Sequence, residues 1–559
     1  MPSRTVISDV TKNEDGKNIL NNPDKIVRWI KYQFEEQEII YSKEDIHLRP
    51  FLYFIDLSNC VINTVNHDGK PIMTNLCDIL NEIYKEELPG CFLINGYGTE
   101  NRIYHEVLVG IKCENSIIYS AYFHQTRFRE DVNFEGTEFK NHASFGSCIF
   151  EKYANFNETN VTGNSGFEGC TFNGKAKFNN AKFDCYQVHF EYSVFNGEFQ
   201  ANGMKFINDD QRKDKPNYKP FISFYGAQFH QELILSNINF TRDCNFTGAK
   251  FYGGVNLIKS HFTALTFYRA EIHGHILLTA YSDENDQNKT ITIQNISFNH
   301  SIISGRIDLE HCEIDIFEGN FVTIKNGALL RISNSEIKKL DLSATHNDGV
   351  IIFEDNSDKI EEFIFKGTIV SGVVELENTE IKVINDRKTA RVLKEAALKS
   401  GNSIDALEYR RKEMQLFKKE VNKSNRRSTK LLLSLNGLSN NHGTDWIKGI
   451  IFTSICWAGS YLLFLITSRL GDIYYWLSGQ SITWTFLQDF SNGIGYLWSL
   501  DFLSTLTEWI VQFEFTTAWW LNVLKPVQFI FVILFYILGK ILIGYGIYQT
   551  ISAFRKYGR

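Results

Sequence analysis

The chain has 559 residues, 43% apolar and 22% charged, which excludes a single compact core, a wholly disordered chain and a polytopic transporter. A net charge of −7 excludes a chain-wide basic surface for nucleic acid. Two counts stand out, 45 Phe and 8 Pro, and an aromatic excess of that size has a repetitive cause.

The first 115 residues carry no regular rhythm. A helix is expected around Asp24 to Gln37, and the apolar run Phe51 to Ile62 adds extended chain, so 1–115 reads as an α/β domain. An open solenoid end exposes a bare strand edge, which makes capping one role for this domain. Ligand sensing is the other.

From Phe123 a ladder of large residues runs through Phe128, Phe134, Phe139, Phe145, Phe150, Phe156, Val161, Phe167, Phe172, Phe178 and Phe183 in alternating steps of five and six. It slips at Phe190 and Phe195, meets a polar insertion near Asp209 to Tyr218, and resumes from Phe224 to Phe262. Two residues before each rung of the first run stands a small or β-branched residue, such as Ala121, Thr126, Val132, Ala143, Cys148, Ala154 and Cys170. Neither a helix nor a plain strand has this period, so each unit is a short extended segment with a turn, and four units close a square coil. The large residue fills the centre, the small one the corner beside it, and polar residues face water. Past Ala280 the rungs become mostly Ile and Leu, as at Ile303, Leu309, Ile314, Leu376 and Ile381.

This pattern resembles the pentapeptide-repeat family, which implies a right-handed quadrilateral β-helix over 116–384. In that setting Cys148, Cys170, Cys244 and Cys312 are compact core fillers. The ten cysteines form no CxxC pair, have no His at zinc spacing and follow no secretory signal, so a reduced, cytosolic setting without bound zinc is expected.

After Ile384 the pattern turns helical, with segments Asp386 to Leu398 and Ser403 to Val421, the second capped by Ser403. This neck and basic linker, 385–445, is expected to close the solenoid. It ends in a dense positive run that includes Arg426, Arg427 and Lys430.

The region 446–559 reads as a membrane module. Gly449 to Ser468 is uncharged and follows Lys448, and Pro526 to Tyr548 is interrupted only by Lys540; each has about the length a bilayer core requires. Between Arg469 and Lys525 there is no Lys or Arg, whereas Lys448, Arg555 and Lys556 flank the pair, so both termini and the solenoid are expected in the cytoplasm. The intervening aromatic segment, with Trp476, Trp484, Trp498, Trp509, Trp519 and Trp520, is either an interfacial cover or a re-entrant element.

Leu433 to Thr453 and Gly539 to Gly558 resemble the membrane module of some bacterial pentapeptide-repeat proteins, which implies a channel-like unit in a bacterial inner membrane. No TVGYG-type filter is present, so potassium selectivity does not carry over. Two helices cannot enclose a pore, so a homo-oligomer is required, most simply a tetramer. Asp501 and Glu508, seven apart, are candidates for acidic rings, with a solvated face as the alternative. Lys540 either snorkels to the lipid surface or points into the bundle, and Gly544 and Gly546 permit close approach or bending.

Nucleotide, nucleophile and metalloprotease motifs are missing, and His189, His261, His273 and His275 fall in or beside repeats; no enzyme, cofactor or metal is expected. Two functions remain. One is a sensor-effector in which the solenoid controls an ion-conducting pore, a layout similar to bacterial anti-phage effectors, with a nucleotide, single-stranded nucleic acid or protein regulator as input. Arg212, Lys213, Lys215, Tyr218 and Lys219 are the candidate ligand contacts, intermingled with Asp209, Asp210 and Asp214. The other is a membrane-tethered scaffold without a pore.

Overall fold

The computed structural model describes residues 12, 14–20, 23–36, 54–58, 60–62, 92–97, 103–107, 110–163, 165–185, 187–207, 221–280, 290–356, 360–379, 381–422, 427–468 and 519–557. The chain forms two compact units, Met1–Asn385 and Asp386–Arg559.

The first unit is built on an all-parallel β-solenoid of about 11 coils, preceded by an antiparallel pair of strands, Phe92–Tyr97 and Ile103–Val107. Its strands form one 17-stranded and two 13-stranded sheets, because strands such as Glu138–Ser144 and Asn239–Asn245 cross one corner of the square without a break. The large residues are the core: Phe123, Phe128, Phe134, Phe139, Phe145 and Phe150 are all buried. All but Phe139, whose equivalents are Ile118 and Val161, stack on a ring one coil away. The column Phe123, Phe145, Phe167, Phe190, Phe224, Phe246, Phe267, Phe298 has centroid spacings of 4.8 to 5.3 Å and interplanar angles of 12° or less. That spacing is the strand repeat itself, so backbone ladder and ring stack are satisfied by one geometry. Phe190 and Phe195 remain in their columns, the latter 5.0 Å from Phe172. Coils built on Ile and Leu keep the register to Ile381.

The small slot has a second task. Cys148 donates its thiol to the carbonyl of Phe123, Cys170 to Phe145 at 2.8 Å, Ser193 to Phe167 at 2.6 Å, and Thr345 to Gly319 at 2.8 Å. In every case the acceptor is a rung carbonyl one coil earlier, so Ser, Thr and Cys fit the slot by size and also satisfy a buried corner acceptor. Two coils invert the slots. Phe199 stands in the small slot opposite Ala176, which puts Ala201 in the centre opposite Phe178. Phe317 likewise lies opposite Ile296 and leaves Gly319 in the centre, where an added Cβ would lie 2.6 Å from Leu342 Cδ2. Corner volume is conserved while the two positions exchange sizes.

On one corner the coils approach closely enough to exclude a side chain: a Cβ on Gly174 would lie 2.2 Å from the carbonyl oxygen of Lys152. The N-terminal strands extend the sheets. Asn18–Leu20 pairs with Cys60–Ile62, which pairs with Ile117–Tyr122; Phe54–Asp56 pairs with Gly110–Lys112. The helix α1 (Pro23–Glu36) buries Ile26 and Ile30, one turn apart.

The second unit is helical: α2 (Arg387–Lys399), α3 (Ser403–Asn422), α4 (Arg427–Asn440), a 3-10 turn at Asn441–Gly443, α5 (Trp446–Ser468) and α6 (Trp519–Tyr557). Asp386 caps α2 by accepting from the Thr389 amide at 2.9 Å. The cap of α3 is Asn402, which accepts from the Asp405 amide at 3.1 Å; Ser403, expected as the cap, is the first helical residue. The helix α6 begins before Pro526 and carries it inside.

Candidate functional site

Among the described residues of the solenoid, no group of three or more His, Cys, Asp or Glu side chains could hold a metal ion. The core thiols are unsuited to nucleophilic chemistry, because burial raises Cys244 well above the ordinary thiol range and raises Cys312 to about 12. The solenoid surface instead carries aromatic ladders. Tyr192 meets Tyr225 at 5.3 Å, Tyr252 lies between His230 and His273 at 4.8 and 5.2 Å, and His300 lies between Tyr268 and Phe321 at 5.4 and 4.9 Å. Tyr192 and Phe321 are more than half exposed. Asp308 is nearly buried and accepts from Arg306 and from His275, the latter at 2.6 Å.

In the helical unit, a single buried carboxylate organises α2 against α3. Glu413 of α3 accepts from Arg391 Nε at 3.0 Å and Lys394 Nζ at 2.8 Å, and Arg387 Nε lies 3.8 Å away with its guanidinium 3.9 Å over the Phe417 ring. Burial works to raise the Glu413 carboxyl, but the hydrogen bonds from Lys394 and Arg391 outweigh it and hold it below the ordinary range.

The two apolar helices pack as an antiparallel pair. Gly449 faces Thr550 and Thr453 faces Gly546, a reciprocal arrangement in which a Cβ on Gly546 would lie 3.2 Å from Thr453 Cα and one on Gly449 3.1 Å from Thr550 Cα. Both threonines turn their hydroxyls back onto the glycine carbonyls four residues earlier, at 2.7 and 2.8 Å, so both hydroxyls are paired within their own helices. Trp446 and Phe554 close one end at 4.7 Å, and Phe464 meets Tyr536 at 6.1 Å further along.

The turn between α4 and α5 is fastened to α6. Asn440 donates its amide to the carbonyl oxygen of Gln549 at 3.0 Å and to its side-chain oxygen at 2.6 Å. Asn441, His442 and Gly443 follow with φ of 51°, 62° and 93°, a run of left-handed backbone that is costly for the first two. His442 is buried, and desolvation together with the charge of Lys418 lowers its pKa.

Of the sequence-derived site residues, Lys540 is half-buried with Nζ 5.5 Å over the Tyr536 ring. The apolar window runs Ile530–Phe554, so about 15 Å of helix separates Lys540 from the nearer edge. Gly546 lies in the helix seam, whereas Gly544 faces open space. Lys430 and Lys448 are exposed, and Arg427, Arg555 and Lys556 occupy helical positions. Arg212, Lys213, Lys215, Tyr218, Lys219, Arg426, Asp501 and Glu508 lie outside the described residues, as does 469–518, which includes most of the aromatic interval. Sequence reasoning singled out Gly546 for close approach but missed Asn440, Gln549 and the partners Gly449, Thr453 and Thr550 that complete the reciprocal contacts. The small-x-x-x-small spacing of each helix was the available signal for the latter.

The family model of pentapeptide repeats (9 copies) matches residues 115–160, 156–199 and 224–271. No curated protein and no solved structure matches the chain.

Proposed function

We propose that this chain, a pentapeptide-repeat β-solenoid followed by two membrane-length helices, is an oligomeric membrane sensor-effector in which the solenoid controls an ion-conducting assembly of α5 and α6. The observation that carries the reading is Lys540. An ammonium near the middle of an apolar window is costly in lipid and serves conduction, gating or pairing when it faces other protein. One α5–α6 pair cannot enclose a path, so copies assemble around an axis. The buried Asn440–Gln549 contact supports coupling, since it ties the neck to the helix that bears Lys540. The input is a nucleotide, a single-stranded nucleic acid or a protein regulator, and the anti-phage setting rests on similarity of layout alone.

A second reading is a membrane-tethered scaffold, favoured by the exposed aromatic ladders of Tyr192, Tyr225, Tyr252 and Phe321 along the solenoid, which leave ring surface open to a partner. Two measurements decide. The mass of the detergent-extracted particle is expected to be a multiple of the protomer, and the purified protein in a planar bilayer is expected to conduct, with Lys540→Met changing the current. A monomer, or leak-level current with every ligand class tried, leaves only the scaffold.

A further inference from the structure

We propose that α4 is an interfacial helix whose leucine face lies on the phospholipid surface that α5 enters. The proposal rests on the reading of α5 and α6 as membrane spans.

The helix α4 is inverted with respect to a soluble helix. Leu431, Leu432 and Leu438 are 67%, 64% and 68% exposed, while Ser439 and Asn440 are fully buried and Leu433 is the main apolar residue turned inward. Leu431 and Leu438 are seven apart and share a stripe, with Leu432 beside it. A soluble surface accepts a stray leucine but does not gather leucines on one stripe while hiding polar residues beneath. Lipid is the solvent that reverses the preference.

The exposed stripe stands just before the helix whose start is read as membrane-facing. Trp446, Ile447, Ile450 and Ile451 of α5 are exposed at its start, and Tyr548, Ile551 and Phe554 of α6 are exposed beside them. A short turn separates α4 from α5, and that turn is locked by the left-handed run at Asn441–Gly443 and by the Asn440–Gln549 bonds. The leucine face is therefore held next to the membrane end of the pair instead of swinging free.

Charge selects the occupant. Lys430 is exposed at the start of the stripe and Lys448 in the first turn of α5, so a second copy applied to this face would bring ammonium groups together, whereas headgroup phosphates complement them. Embedding α4 also gives the neck a fixed plane from which to act on α6.

The test reconstitutes the full chain in phosphatidylglycerol–phosphatidylcholine vesicles with an environment-sensitive fluorophore on Leu432→Cys or Leu438→Cys. The unsubstituted protein serves as blank, Asn402→Cys reports water and Ile455→Cys, on the exposed side of α5, reports the bilayer interior. Expected is several-fold stronger quenching by shallow spin-labelled lipid at Leu432→Cys and Leu438→Cys than at Asn402→Cys, with Ile455→Cys quenched by the deep label. Labels on α4 as wet as that on Asn402→Cys while Ile455→Cys stays protected overturn the proposal alone. A wet Ile455→Cys overturns the span reading on which it rests. Protection that persists unchanged in detergent, with disulfide cross-links forming between copies at Leu438→Cys, assigns the face to a second copy and also overturns it.

Discussion

In the solenoid a ring meets its equivalent about every 5 Å, and the same contact recurs from Phe123 to Phe298. In the helical unit the contacts differ in kind and do not recur coil after coil: Glu413 with its three cations, Asn440 with Gln549, and the reciprocal Gly449–Thr550 and Thr453–Gly546 pair. Repetition distributes stability, so that one defect is bordered by intact neighbours on both sides. Singular contacts concentrate it, so that no intact copy of a lost contact stands beside it.

The largest effect tests the distributed side. Phe145 lies against Phe123 and Phe167 at 5.3 and 5.1 Å, so Phe145→Ala opens a cavity in the centre of a coil. A cost of about 3–5 kcal/mol is expected, read by denaturant unfolding followed by far-ultraviolet circular dichroism. If coils share load only with neighbours, Phe145→Ala and Phe224→Ala, each between two stacked rings, cost nearly the same and their double variant is additive.

Next in size is the helix seam. Gly546→Leu drives a side chain into Thr453 backbone and is expected to cost about 3 kcal/mol or to separate α5 from α6, whereas Gly544→Leu, which meets open space within one chain, leaves the pair intact. Thermal melts of the detergent-extracted protein distinguish the two. Equal effects would mean that Gly544 is also in contact, and so that a second copy covers it.

The same division explains what could be read in advance. The rungs, the small slots and the core cysteines were legible because the five-and-six period repeats many times, and a reader needs only the period. The inversions at Phe199/Ala201 and Phe317/Gly319 were not, since each keeps a large residue near the expected place while moving it by two. The two apolar helices were legible from length and hydropathy. The fastening of Asn440 to Gln549 was not, for the partners are 109 residues apart and neither type is distinctive. The helix α4 was hidden for a different reason: its leucines face outward, so an amphipathic pattern aimed at a protein core does not describe it.

Glu413→Gln is third. It removes the charge that three cations share while keeping the side-chain shape, and deprives the half-buried Lys394 and the exposed Arg391 of that charge. A loss of about 2–3 kcal/mol is expected in the helical unit, with the solenoid transition unchanged. The double variant Phe199→Ala/Ala201→Phe is fourth: it restores the usual order of sizes, and a cost under about 1.5 kcal/mol is expected against at least twice that for Phe199→Ala alone. Both are read by differential scanning calorimetry, in which two resolved transitions separate the units.

The smallest effect belongs to His442. Burial and the charge of Lys418 lower its pKa in the folded protein below the ordinary value of 6.5. Between those two values the unfolded chain binds a proton that the folded chain refuses, so stability is full above 6.5 and is lost as pH falls through the folded pKa. The melting temperature of the helical unit is therefore expected to drop between pH 7 and the folded pKa by less than the Glu413→Gln effect. His442→Asn tolerates the left-handed backbone and removes the titration, so it should flatten that part of the profile without lowering the plateau at neutral pH. A profile equally steep in His442→Asn would place the acid-sensitive group elsewhere. It would also leave the α4–α5 turn as a rigid connector fastened to α6 by the Asn440–Gln549 bonds.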